Sequence, residues 1–337
     1  MKYAFIALIL TAVSAQAAGP DVKDVKHRTP RTESGYPDLR GVWNFSSDVP
    51  LERPLSAPDK TLFTREEIEA RKAAKAQALG AISKMIPVED VAIDWLDYSG
   101  RIENLRTSLV RYPENGRLPK LVDGVRRLPG ADEIIEALSQ AKGGIPPELA
   151  SFVAGSSQKD GPEDFGASER CLFAGGPPFT PDLDNNYLQI VQARDHVVLL
   201  TERRARIVPL DGSPHLSGNL RSWSGDSRGH WEGETLVVET RNFNSRTRSF
   251  AGAGTSSQEK VVTERFTRLA NNALEYEATI VDPKTFQDKI VLAFPMAKVE
   301  ARVYEWACHE GNYSMFNMLS AARAEERAAT KTNPQER

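Results

Sequence analysis

Cysteine is scarce in this chain: among 337 residues there are two, Cys171 and Cys308. Histidine is nearly as scarce, with five residues scattered from His27 to His309. The nearest approach to a helical zinc motif is His309-Glu310, but Tyr313 stands where a second histidine would be needed, so no metal is expected. An excess of charge of one sign is also missing. The net charge is −3, with acids and bases interspersed, so there is no basic stripe to follow a nucleic acid and nothing to attract an anionic membrane. Beyond the first residues no apolar run is long enough for a membrane span. No repeat of fixed period and no alternation of strands with crossover helices occurs, which argues against solenoids and parallel α/β folds.

What is present begins with an export signal. Lys2 supplies a positive start, Tyr3 to Val13 a short apolar core, and Ala15-Gln16-Ala17 a small-x-small cleavage site, so residues 1–17 are expected to be removed. No cysteine follows that site to carry a lipid anchor. The expected location is the periplasm or beyond. In an oxidising compartment the two cysteines are most simply read as one Cys171–Cys308 disulfide, the alternative being a reactive Cys308 thiol beside His309. The organisation expected is an extended segment over 18–60 and a single β-rich domain over 61–337.

Within that domain a helix should start at Thr64, with Glu67 completing a capping box, and run to Gly80. A strand is expected over Arg106–Val110, a turn at Pro113–Gly116, and a short helix over Ala131–Gln140. From Asn185 the pattern becomes β. Short runs at 187–191, 197–201, 206–210, 261–268, 274–281, 289–294 and 303–307 read as strands, with one more strand start at 41–45 in the N-terminal segment, and a closing helix is expected over Ser314–Arg327. The fold class read from this is mainly β with added helices. The expected architecture is an antiparallel β-barrel or curved sheet, with its core at about 185–307, covered by N-terminal helices and loops.

The most informative stretch is Trp223 to Phe243. Gly233-Glu234 suits a type II′ two-residue turn, which sets Glu232 opposite Thr235, Trp231 opposite Leu236, His230 opposite Val237 and Arg228 opposite Glu239. Trp231, Leu236 and Val238 then share one face. Arg228, His230, Glu232, Glu239 and Arg241 share the other. Gly225-Asp-Ser-Arg-Gly229 matches the pattern of a nucleophile elbow, but a hairpin rather than a helix follows Ser227, which argues against a serine hydrolase. The candidate catalytic residues are therefore His230 as acid or base, Glu239 as its orienting carboxylate and Arg228 as stabiliser of negative charge, with Asp226, His309 and Glu310 as further members. His27 and His196 read as surface residues and His215 as a structural one. If the polar faces point into a barrel lumen, Arg206, Arg228, His230, Glu239 and Glu277 converge there. Trp231 and Tyr276, with Arg206 and Glu277, are the candidate ligand contacts. No cofactor is expected, and the partner is a small molecule.

The segments Tyr36–Phe45, Arg206–His215, Gly225–Thr240 and Ala307-Cys-His-Glu-Gly-Asn-Tyr313 resemble a family of exported, largely uncharacterised bacterial proteins abundant in soil bacteria. The resemblance covers most of the mature chain and implies export, without implying a particular activity. The Gly41-Val-Trp43 start and the Trp231-x-Gly-x-x-Leu236 hairpin are similar, at the level of fold, to lipocalin-type barrels that hold small apolar ligands, a likeness that carries no function. Two functions follow as expectations. One is an exported enzyme moving protons on a small organic molecule, as a lyase, isomerase or hydratase. The other is a non-catalytic barrel binding a hydrophobic or amphipathic ligand.

Overall fold

The computed structural model describes residues 29–85, 100–125, 160–165, 170–171, 176–182, 185–245, 249–253 and 257–332. The residues expected to form an export signal, His27 and the helix expected over 131–140 lie outside these. Ten strands form one antiparallel sheet: β1 Gly41–Asn44, β2 Val110–Tyr112, β3 Tyr187–Gln192, β4 His196–Thr201, β5 Arg204–Pro209, β6 Asp226–Glu232, β7 Thr235–Arg241, β8 Val261–Ala270, β9 Ala273–Val281 and β10 Ile290–Val299. The sheet order is β5-β4-β3-β1-β10-β9-β8-β7-β6. β2 shares the edge of β10 with β1, since ten-residue β10 is long enough to pair with both. The sheet curls into a nearly closed barrel in which β5 and β6 come side by side.

Alternation along the strands sorts the residues as expected of a barrel. Leu188, Ile190, Val197, Leu199, Leu236, Val238, Phe266, Tyr276, Leu292 and Phe294 all point inward and are buried. Burying such side chains is worth roughly 1.5–3 kcal/mol each, which is what drives the curl. The interior is a packed core rather than an empty lumen.

β5 and β6 are not joined by ladder hydrogen bonds, so side chains must close the seam. Gly229 makes this fit: a Cβ there would lie 2.7 Å from Leu210 Cδ2 and 2.8 Å from Val208 Cγ1. Gly229→Val is expected to overpack the seam and destabilise the protein by about 1–3 kcal/mol, read as a lowered thermal midpoint. An unchanged midpoint would mean that the seam has slack.

Two helices are described, α1 Arg65–Met85 and α2 Tyr313–Thr332. The capping box forms as the sequence implied. Glu67 N–H donates to Thr64 Oγ1 at 3.2 Å, and Thr64 N–H donates to Glu67 Oε2 at 2.7 Å. α1 runs past Gly80, which costs a helix only about 1 kcal/mol and does not stop this one. The strand expected over Arg106–Val110 is displaced: Arg106 makes an isolated bridge to Leu62, and β2 starts at Val110. Residues 303–307 form no strand. That run is rich in apolar and aromatic residues, but both free edges of the sheet are turned towards each other and offer it no partner.

Cys171 and Cys308 form the disulfide, with Cα atoms 5.7 Å apart. His309 Nε2 donates to the Cys171 carbonyl at 2.9 Å, and Asn312 Nδ2 contacts Cys171 Sγ at 3.2 Å. No helix among the described residues is long and apolar enough to cross a membrane.

Candidate active site

The β6–β7 hairpin has the register set by its two-residue turn, with Trp231 opposite Leu236, His230 opposite Val237 and Arg228 opposite Glu239. Gly233 takes φ +59° while Glu234 keeps a negative φ, as a type II′ turn requires. Both glycines of the Gly225–Gly229 motif answer to space. Gly225 sits at φ +76° and a Cβ there would meet the Arg241 carbonyl at 2.7 Å. Ser227 points into the barrel wall, buried, with its hydroxyl 2.8 Å from Thr240 Oγ1. It stands within strand β6 rather than at the exposed strand-to-helix turn that a nucleophile elbow requires.

The structure decides which way the polar faces point. Of the five candidates, Arg206 alone points inward; Arg228, His230, Glu239 and Glu277 lie on the outer face. The apolar alternatives Leu236, Val238 and Tyr276 take the inner face because an ionised group gains nothing by leaving water unpaired. Inside, Arg206 forms a two-pronged ion pair with Glu264, one arm being Nη2 to Oε1 at 2.9 Å. Tyr276 donates its hydroxyl to Glu264 Oε1 at 2.9 Å and accepts from Phe179 N–H at 2.9 Å. Burial pushes the Tyr276 phenol well above its usual range, so it stays a donor. This is an internal brace. Trp231, at the end of β6, stacks on Tyr36 with centroids 5.4 Å apart, and Glu277 stands opposite Arg265 across β8 and β9.

On the outer face β6 and β7 present a checkerboard of charge. Asp226 and Arg228 come from β6, Glu239 and Arg241 from β7, each acid across the ladder from a base. Arg228 Nη1 donates to Asp226 Oδ1 at 2.6 Å and to the Ser227 carbonyl at 2.8 Å, and its Nε donates to the Pro214 carbonyl at 3.1 Å. Arg241 Nε donates to Glu239 Oε1 at 2.7 Å, which holds the Glu239 carboxyl below the usual carboxylate range despite its partial burial.

Into this checkerboard the loop after β5 inserts His215. Its Nδ1 lies 2.9 Å from Asp226 Oδ2 and its Nε2 lies 3.1 Å from Glu239 Oε1. Leu216 N–H also donates to Asp226 Oδ2 at 2.9 Å, and Asn242 Nδ2 to the Leu216 carbonyl at 2.9 Å, which fixes the loop on the hairpin. His215 is well covered, at 20% side-chain exposure, and Asp226 more so, at 10%. Each carboxylate also has a donor of its own, Leu216 N–H on Asp226 Oδ2 and Arg241 Nε on Glu239 Oε1. His230, by contrast, is 60% exposed and its Nε2 lies 3.1 Å from Glu232 Oε1, so neither Arg228 nor Glu239 is its partner.

These groups border one groove of about 440 Å³, lined by His215, Arg228, His230, Glu232, Glu239 and Arg265 among others. His309 is bound to the disulfide loop and Glu310 is exposed beside it; the contacts of His309 serve that loop rather than the groove. The sequence reading did not place His215 between Asp226 and Glu239, because these partners come from strand positions 11 and 24 residues away. A histidine following Asp211-Gly212-Ser213-Pro214 near the acid-rich hairpin was the available signal. Among the described residues no group of three or more His, Cys, Asp or Glu side chains is arranged to hold a metal ion. Compared with known proteins, the chain matches no family model, no curated protein and no solved structure.

Proposed function

We propose that this is an exported enzyme that moves a proton on a small organic molecule, with His215 as the acid–base group in place of His230. The observation that carries the reading is the Asp226–His215–Glu239 bridge at the edge of the groove. Asp226 orients Nδ1, as a carboxylate behind a catalytic imidazole does, and Glu239 occupies the Nε2 side where a substrate proton would exchange. Glu239 has a second partner in Arg241, whose Nε donates to the same oxygen. Arg228 lines the groove with Nη1 and Nε engaged, leaving Nη2 without a partner among the described residues to meet negative charge that develops on the substrate. Chemistry of this kind fits a lyase, isomerase or hydratase. The disulfide supports export to an oxidising compartment.

A non-catalytic barrel holding a hydrophobic ligand in its lumen has less support, because side chains fill the interior. The test is deuterium exchange. A panel of enolisable carbonyl compounds and hydroxy acids would be incubated with the protein in heavy water and followed by proton NMR. His215→Gln, checked for folding by circular dichroism, should slow exchange roughly 10²–10⁴-fold, while the exposed His230→Gln should leave it near the parent rate. Retention in His215→Gln with loss in His230→Gln would return the role to His230.

A further inference from the structure

We propose that Arg204 holds a monatomic anion, chloride in ordinary salt solutions, in a small cavity where the β4–β5 turn meets residues 176–179. The site is separate from the groove and does not depend on the function proposed for it. Arg204 opens β5 opposite Thr201, the last residue of β4. Its Nη1 is buried and makes no hydrogen bond among the described residues. The cavity beside it, about 10 Å³, is lined by Arg204, Arg206, Thr201, Ser224, Pro177 and Phe179 among others. That is room for a single particle of about the size of a water molecule.

Among the described residues, the charges around it leave a cation over. Apart from burial, the strongest influences on Arg204 are the like charge of Arg206, then Glu264, then the like charge of Arg203. Glu264, the acid of this set, is already committed to Arg206 through both oxygens. Lys260 adds a further buried cation within electrostatic range, with Asp282 as its counter-charge. Arg203 is turned aside to stack on Trp306, 4.3 Å from the ring centroid. Burial and these neighbours pull Arg204 down to about 10. A lone water could accept one of its N–H groups but would leave the charge unopposed. An anion supplies both an acceptor and the missing negative charge, and the hydroxyl-bearing residues Thr201 and Ser224 line the same cavity. The small volume excludes sulfate, phosphate and carboxylates as enclosed ligands.

The test uses the whole protein at fixed ionic strength, exchanging sodium gluconate for sodium chloride. Above the dissociation constant, the thermal midpoint should rise by about 2–4 °C for each tenfold increase in chloride, and Arg204→Gln should abolish the dependence. Because that variant could fail to fold, a second measurement needs no substitution. Crystals grown in bromide should show an anomalous peak in contact with Arg204 Nη1. A midpoint that is the same in chloride and gluconate, or a water without anomalous signal at Nη1, would overturn the proposal.

Discussion

Replacing Glu264 with alanine is expected to cost about 3–5 kcal/mol of folding stability, a large share of what a domain of this kind possesses. The reason lies in the packing around the carboxylate. Glu264 is completely buried in the barrel, accepts both arms of the Arg206 guanidinium, and takes the Tyr276 hydroxyl as a third donor. Removing it leaves a guanidinium enclosed by Phe179, Tyr276 and Thr240 with no counter-charge. Removing both ends of the pair should behave differently. The double variant Arg206→Met, Glu264→Leu has neither charge to desolvate, and its stability should return to the parent value or above. Urea denaturation of the three proteins decides the matter. If Glu264→Ala loses less than 1 kcal/mol, water reaches Arg206 and the interior is not the dry core described.

The second large effect concerns the disulfide. Its cysteines are 137 residues apart, and every strand from β3 to β10 lies between them. The crosslink thus restricts most of the unfolded barrel. Cys171→Ser with Cys308→Ser is expected to lose about 2–5 kcal/mol. The same link helps seat the C-terminal segment, where Trp306 N–H donates to the Glu202 carbonyl at 2.9 Å on the β4–β5 turn. Reduction should therefore lower the thermal midpoint and also make the segment after β10 cleavable by a protease under native conditions. A reduced protein that melts with the oxidised one would show that the barrel folds without regard to the link.

The hairpin shows how far local chemistry carries. A Gly-X turn was enough to place the four residue pairs read between β6 and β7, from Glu232 opposite Thr235 to Arg228 opposite Glu239, because a two-residue loop leaves no freedom of register. The capping box at Thr64 and Glu67 was legible for the same reason, being complete within four residues. What alternation withholds is which face is inside. Arg228 and His230 on one face, with Trp231 and Leu236 on the other, state that the strand has two environments. The burial of Phe266, Tyr276 and Phe294 on neighbouring strands then decides between them. The position of His215 was illegible for a related cause: a loop folding back over β6 and β7 sets it, and nothing within three or four residues of it announces Asp226 or Glu239. Residues 303–307 illustrate the reverse. Their composition is right for a strand, and the sheet has nowhere to put one.

The seam between β5 and β6 has a bearing on how this protein behaves in a crowd. A barrel closed by hydrogen bonds has no edges, whereas this one keeps two and hides each behind the other through Val208, Leu210 and Gly229. Unpaired edges are templates for strands of other molecules. Concealment therefore depends on a few aliphatic contacts and one missing side chain. Whatever pries the seam apart exposes both edges at once, and the same molecule could then recruit neighbours on two sides.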